Sequence, residues 1–339
     1  MINARVKDIA ENAFLDNAEI TAETVVVGPN SQLTNVRVKA KAFSVGHDTK
    51  INDSIIMTTG DAMIGDYVQI KEGSALNAFK GIKVGNNTLI DRGVVVAGIQ
   101  SERSYFETGN RCVILHHTYI NTTREVIIGN NVGIGGYCMI FTHGVWQNAL
   151  RGYPFQFGKV EIKDDAWLPW HVFVMPGVTI GKGSTIAGAS VVTENIPDYS
   201  LAAGVPAKVI RSTNYPKSLS LDEKDKLIRR ILEDFRGYFE GYIGNKSVDL
   251  QETSDGVVIV KSDAGNLAYF KEIDEQLLDD PAIKALNAFN IVSFIVPDVI
   301  KGKYDWIEIE SETSSLQLNK LSIEFGAFVR RYGIRLMTK

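Results

Sequence analysis

Cysteine is scarce. The 339 residues contain only two, Cys112 and Cys138. Two cysteines make no disulfide framework, and these are not in a metal-type spacing. Their scarcity predicts a reduced, cytoplasmic setting. Long apolar runs are also missing. No stretch approaches the roughly 20 residues needed to cross a bilayer, and the opening "MINARVKDIAENAF" has no apolar core of the secretory kind, so neither a membrane span nor a leader is expected. No sign of charge dominates. Thirty-six basic residues against 40 acidic ones give −4, which leaves no electrostatic reason to expect nucleic acid or an anionic membrane as a partner. What remains is ordinary globular material: 45% apolar residues and a length that suits two units.

A helical or strand period is absent from most of the chain, and a period of six stands in its place. Ile162, Leu168, Val174, Ile180, Ile186 and Val192 are evenly spaced aliphatics. The same beat runs through Ile128, Ile134 and Ile140, through Ile64, Ile70 and Leu76, and through Val84, Ile90 and Val96; Val45 and Ile51 form an earlier, weaker pair. Six is three strand-like steps of two, bent at corners. A turn of three sides then takes eighteen residues, with one inward aliphatic per side, which is the hexapeptide class of parallel β-helix. Stacked coils share one continuous core. The residue after the inward one must often be small, as at Gly129, Gly135, Gly181 and Ala187. The pattern predicts coils from about residue 20 to 211.

Two departures interrupt it. One covers Gly144 to Lys159 and resumes at Ile162; the other covers Ile99 to Arg111. Long departures from a scaffold are where function is often placed. After Arg211 the beat stops. "STNYPKS" reads as a linker to a small α+β domain over 213–339. There, Leu221, Leu227, Ile228, Ile231, Leu232 and Phe235 have helical spacing, and Ser220 with Glu223 reads as a capping box. The runs "GVVIV", "LAYF", "NIVSFIV" and "YDWIEIE" read as strands, and the tail "NKLSIEFGAFVRRYGIRLM" as helix.

Five histidines are present: His47, His116, His117, His143 and His171. His143 closes "MIFTHG" where the coil gives way to the longer departure. Rigid scaffold holds a side chain there, and a loop can cover it. Imidazole can take a proton from a hydroxyl or amine near neutral pH.

"IIGNNVGIGGYCMIFTHG", the departure, and then "VEIKDDAWLPWHVFVMPGVTIGKGSTIAGASVVTENIPDYSLAAGVPAKVIR" resemble the left-handed β-helix acyltransferases. The likeness is greatest to the galactoside, maltose and polysaccharide acetyltransferases. It covers residues 112–211 closely, 20–111 loosely, and none of the rest. It implies a mainly β, left-handed parallel β-helix, an acetyl-CoA co-substrate, and a homotrimer with sites between neighbouring prisms. It places His143 on the catalytic histidine. Trp167 falls on the tryptophan opening the coil after the loop, and Trp170 where relatives carry a small or polar residue beside the thioester. Gly188 falls where the pantetheine arm lies along bare backbone, Thr193 on a cofactor contact, and Lys208 and Arg211 on basic positions near the nucleotide phosphates. Glu194 stands where relatives carry a basic residue, which puts the phosphate contact in doubt. His116 and His117 are candidates for the acceptor side; Trp146, Tyr153, Phe155 and Phe157 of the loop are candidates either for stacking on a sugar ring or for anchoring the loop as core. The expected chemistry is direct transfer, since neither cysteine has an evident activator.

Two other readings remain open at this stage. A zinc enzyme like the γ-type carbonic anhydrases needs three converging histidines, and His143 has no partner histidine five residues on. A non-catalytic hexapeptide scaffold presenting its C-terminal domain is the other; the retained histidine and the ending "GVPAKVIR" speak against it.

Overall fold

A computed structural model describes residues 1–244, 248–286 and 288–338. The chain divides into two units, Met1–Ser218 and Leu219–Lys339.

The first unit is a three-sided parallel β-helix. Its faces are a ten-stranded sheet (face I, Ile2–Asn3 to Val191–Val192), a nine-stranded sheet (face II, Val6–Ile9 to Thr179–Ile180) and an eleven-stranded sheet (face III, Phe14–Asp16 to Ala207–Arg211). The chain visits I, II and III in turn, so every strand but the last pairs with the strand one coil away. The sixfold aliphatics point inward, and Ile162, Leu168, Val174, Ile180, Ile186 and Val192 are all fully buried. Each is worth about 1.5–3 kcal/mol relative to exposure. The need for small residues is steric. A Cβ on Gly129 would lie 2.4 Å from Asp164 Oδ1 of the next coil. On face III the last strand, Ala207–Arg211, folds back antiparallel on Leu201–Gly204 and closes the stack.

The coils begin earlier than the expected residue 20, because Ile2 already pairs with Ile20. The early coils keep the eighteen-residue turn but divide it unevenly. Leu15, Leu33 and Ile51 stack on one face, and Ile20, Val38 and Ile56 on another. From Leu15 to Ile20 is five steps, and from Ile20 to Val27 is seven. A scan by sixes misses such coils because their corners are unequal.

Three edges join the faces. Along edge III–I each coil turns through one residue with left-handed backbone: Asn17, Asn35, Asp53, Gly73, Gly93, His117, Tyr137, His171 and Ala189. Asn, Asp and Gly tolerate this geometry, while other side chains lose roughly 1–2 kcal/mol in it. Asn17 donates to Asn35 and Asn35 to Asp53, both at 2.8 Å, forming an amide ladder. Edge I–II carries both departures. The first is shorter than expected: Tyr105–Thr108 is a regular strand of face II, so the excursion ends before Tyr105. The second projects between Ile140 and Val160.

The second unit is a seven-stranded mixed sheet whose strands lie in chain order. Its three central strands, Gly265–Phe270, Asn290–Ser293 and Trp306–Glu308, are mutually parallel. Helices Leu221–Gly241 and Lys320–Val329 pack on one side through Phe235, Phe325 and Tyr269; Ile283, Ile300 and Trp306 fill the other. Ser220 and Glu223 form the reciprocal cap. The tail is helical only to Val329. A short turn then closes at Gly333, whose φ of 82° ends it, and Met337–Thr338 joins the sheet edge.

Candidate active site

His143 sits where the chain leaves the face I strand Met139–Ile140 at edge I–II. The loop returns beside it: His143–Gly144 pairs antiparallel with Gln156–Phe157. Gly158 anchors the return, its N–H donating to Thr142 O at 3.0 Å. A Cβ at Gly158 would lie 2.6 Å from Gly177 Cα, so only glycine fits. The Gln156 amide donates to Pro176 O at 2.8 Å. The loop is thus tied to the coils at its base, while Trp146 near its tip is 98% exposed.

Three buried polar residues back the imidazole: Asn121, Thr123 and Thr142. Asn121 Oδ1 lies 2.9 Å from His143 Nδ1 and 3.1 Å from the Thr123 backbone N–H. A backbone N–H can only donate, so the atom facing it is the amide oxygen. His143 Nδ1 must therefore carry the proton and donate it to Asn121. In the neutral ring, Nε2 then keeps its lone pair. Thr123 Oγ1 stands 3.4 Å from the same nitrogen and accepts the Ile99 N–H at 3.1 Å, which ties the shorter departure to this backing. Rings bracket the imidazole: Phe141 at 6.1 Å and Phe157 at 6.2 Å, both roughly parallel to it. The Arg124 guanidinium lies over the Phe157 ring at 4.6 Å. The imidazole is thus half-buried, hydrogen-bonded through Nδ1 and flanked by two rings.

Asn121 escaped the sequence reading. Its only signal is a polar run, Asn121-Thr122-Thr123, that is buried where a coil corner is normally wet.

The remaining candidates fall into three places. His116, His117 and Trp170 meet on edge III–I: Trp170 lies edge-on to His116 at 5.0 Å, and His116 edge-on to His117 at 5.6 Å. Gly188 is on the same edge, one coil beyond Trp170. Trp167 is on face III between Gly133 and Thr185, 55% exposed. Thr193, Lys208 and Arg211 are exposed near the C-terminal end of the stack, and Lys208 Nζ is engaged by Glu194 at 3.2 Å. The strands of face I separate edge III–I from edge I–II within the chain. From Tyr137 to His143 that span is at most about 20 Å at the rise of a strand.

Below His116 lies Asp91, 7% exposed, 3.3 Å from His116 Nδ1 and 3.1 Å from Lys71 Nζ. Burial pushes the Asp91 carboxyl up. The Arg92 backbone N–H, Lys71 and His116 outweigh burial and hold it below the usual carboxylate value. Cys138 is fully buried, and desolvation pushes its thiol up to about 11. Among the described residues no cluster of three or more His, Cys, Asp and Glu is placed to hold a metal ion. No described helix is long and apolar enough to cross a membrane.

No protein-family model matches the chain. Curated proteins similar to it include one from Schizosaccharomyces pombe, 44% identical over 89 residues (25% of this chain, 42% of that protein). Another, from Mycobacterium tuberculosis, is 27% identical over 185 residues (52% and 59%). Both names carry acetyltransferase as an inferred activity. The chain spans about two fifths to three fifths of the length of these relatives. Among solved structures, a galactoside acetyltransferase in complex with coenzyme A is 30% identical, with 39% of this chain and 65% of that one covered and a TM-score of 0.35. Over these segments the chain is similar to proteins named as acetyltransferases.

Proposed function

We propose that the chain transfers an acetyl group from acetyl-CoA to a hydroxyl or amino group of a sugar-containing acceptor, with His143 as general base. The observation that carries this reading is the 2.9 Å contact between His143 Nδ1 and Asn121 Oδ1: the amide oxygen accepts the Nδ1–H, and Nε2 of the neutral ring is left as the base. His143 Nε2 accepts the acceptor's proton as its oxygen or nitrogen attacks the thioester carbonyl carbon. Collapse of the tetrahedral adduct breaks the carbon–sulfur bond, and the imidazolium returns the proton to the departing thiolate. Donor and acceptor leave as CoA thiol and acetylated product. A cysteine acyl-enzyme is unfavourable, because the Cys138 thiol is buried and its acidity suppressed.

Edge III–I supports a place for the pantetheine arm. Gly188 is exposed and bare, and even an added Cβ would meet nothing nearer than Trp170 O at 3.4 Å. Trp167, Trp170 and Thr193 complete the cofactor contacts in this reading, with Lys208 and Arg211 toward the phosphates. Lys208 must leave Glu194 to reach one. His116, His117 and Trp146 serve the acceptor.

Donor edge and base lie on opposite margins of face I, so one site needs two copies, and a homotrimer supplies three such sites. The outer surface of face I supports this. Ile55, Ala75, Val95, Tyr119, Met139 and Phe173 stand in one register column pointing outward. The same column carries the exposed ion pair Glu19–Arg37 in the first coils. An apolar outer face that long is a contact surface in waiting. A cytoplasmic setting goes with two buried cysteines and a CoA donor.

The test is CoA-thiol release with acetyl-CoA and a panel of glycosides and sugar nucleotides, for wild type and His143→Ala. A general base typically contributes 10²–10⁴-fold. Loss in the variant of less than about tenfold removes His143 from that role.

A further inference from the structure

The second unit sets two guanidiniums beside one helix and gives neither a carboxylate. Along helix Leu221–Gly241 and its cap, Arg230, Asp234, Tyr238 and Tyr242 stand four apart, on one ridge. Four residues is the spacing of a helical ion pair, so Asp234 is the natural partner of Arg230. The carboxylate is taken elsewhere: Asp234 Oδ2 accepts the Tyr332 phenol at 2.6 Å. Glu233 is held by Arg236 at 3.0 Å. Among the described residues Arg230 makes no ion pair.

Arg331, next to Tyr332, rests on rings instead of a carboxylate. Its guanidinium lies 4.1 Å from the centre of the Tyr238 ring and 4.9 Å from that of Phe328. Tyr242 stacks on Tyr238 at 5.2 Å and 18°, which braces the ring that carries the charge. Among the described residues Arg331 makes no ion pair either. Stacking uses the face of a guanidinium and leaves its N–H edge for a ligand. Both cations act on the same phenol. The bond to Asp234 pushes the Tyr332 hydroxyl up, and Arg230 and Arg331 pull it down. Arg230, Arg331 and Tyr332 are exposed. A Cβ added at Gly237 or Gly241 of the same helix would meet nothing within 4 Å, so no described part of the chain lies against the helix at those positions. Two cations held near one phenol repel each other, and an anion between them would relieve that.

We propose that Arg230 and Arg331 clamp a phosphate monoester, with Tyr332 keeping Asp234 from neutralising Arg230. Two unpaired guanidiniums match a dianion, and their planar forks match pairs of phosphate oxygens. A carboxylate offers one charge and one pair of oxygens, so it binds more weakly. A soluble phosphate ester and a lipid headgroup present the same group, and the experiment separates them. The site lies within the second unit and does not rest on the transferase reading.

NMR of the arginine Nε–H groups in the full chain tests it, with glycerol 3-phosphate as the probe and acetate and sodium chloride at matched ionic strength as controls. The readout is local, so phosphate contacts elsewhere in the chain, Lys208 and Arg211 included, do not register in it. Saturable shifts at Arg230 and Arg331 are expected with glycerol 3-phosphate. Binding should weaken about tenfold in Arg230→Gln, an exposed position whose change leaves the fold intact, and in Arg331→Lys, which keeps the charge and loses the flat stack. Tyr332→Phe is the sharper variant. It removes no contact to the anion, yet it frees Asp234 to pair with Arg230 and should weaken binding about two- to fivefold. Co-sedimentation with phosphatidylcholine vesicles carrying phosphatidic acid assigns the phosphate to a lipid; glycerol 3-phosphate binding without co-sedimentation assigns it to a soluble ester. Three outcomes overturn the clamp: no saturable shift at either arginine, the same shift from acetate or chloride, or wild-type binding in both Arg230→Gln and Tyr332→Phe. No step of the test measures acetyl transfer, so failure of that activity leaves this result standing.

Discussion

The two margins of face I are built from the same coils and do opposite things. Edge I–II breaks the coil twice, and its distinctive chemistry stands at those breaks, with His143 at the mouth of one loop and Thr123 tied to the other. Edge III–I never breaks. It keeps a constant turn and changes only the side chains that occupy it, from amides and glycines to rings. A repeating scaffold can therefore acquire a site by inserting chain or by substituting within the repeat. The first leaves backbone geometry free and must be tied down. The second keeps the geometry and accepts strain.

The largest way to break this contrast is His143→Ala, expected to lower kcat/KM at least about a hundredfold. Next comes Asn121→Leu, which removes the acceptor that fixes the imidazole. A drop of about 10–100-fold in kcat is expected, by analogy with lost orienting partners in other sites. The discriminating readout is NMR of the His143 ring: the Nδ1–H tautomer should give way to a mixture, and Asn121→Asp should restore it. A merely structural asparagine would change stability and leave the tautomer alone. A smaller effect is expected from Gly136→Ala. The new methyl would sit 2.6 Å from the Trp170 ring and push it outward, raising iodide quenching of tryptophan fluorescence at a stability cost of about 1–3 kcal/mol. Gly188→Ala meets only a contact at 3.4 Å and should do neither.

The smallest effect concerns Asp91. Its folded value lies below that of an ordinary aspartate, so the carboxylate stabilises the fold above about pH 4, and that contribution fades as pH falls through the folded value. Chemical denaturation of wild type and Asp91→Asn should differ at neutral pH and converge in acid. A gap that widens on acidification would mean that the carboxyl is not held ionised by Lys71 and His116.

Much of the fold could be read from spacing, because every inward position from Ile128 to Val192 obeys one arithmetic rule outside the loop. The early coils could not, since unequal corners keep the turn at eighteen residues but hide the six. In the second unit the cap at Ser220 and the helix behind it were local signals, whereas the parallel order of the central strands depends on crossovers that no short motif records. His143 was legible as the last residue before a loop. Asn121 was not, because its bond to the imidazole is formed between coils. Tyr137 and His171 look unremarkable in the chain, separated from His117 and each other by a full turn or more; only stacking makes them neighbours.

One consequence follows from the vertical registry of the coils. Each turn pairs residue for residue with the next, as the column from Ile55 to Phe173 shows. Removing a whole eighteen-residue turn between Asn17 and Asp53 should shorten the prism as one takes a storey from a building. Every floor above would keep its compass bearing, and His143 would descend about 5 Å without rotating. A deletion of nine residues would instead turn the upper floors out of alignment with the lower. The height of the prism is therefore a dimension that can lengthen or shorten in whole storeys while the chemistry above keeps its orientation.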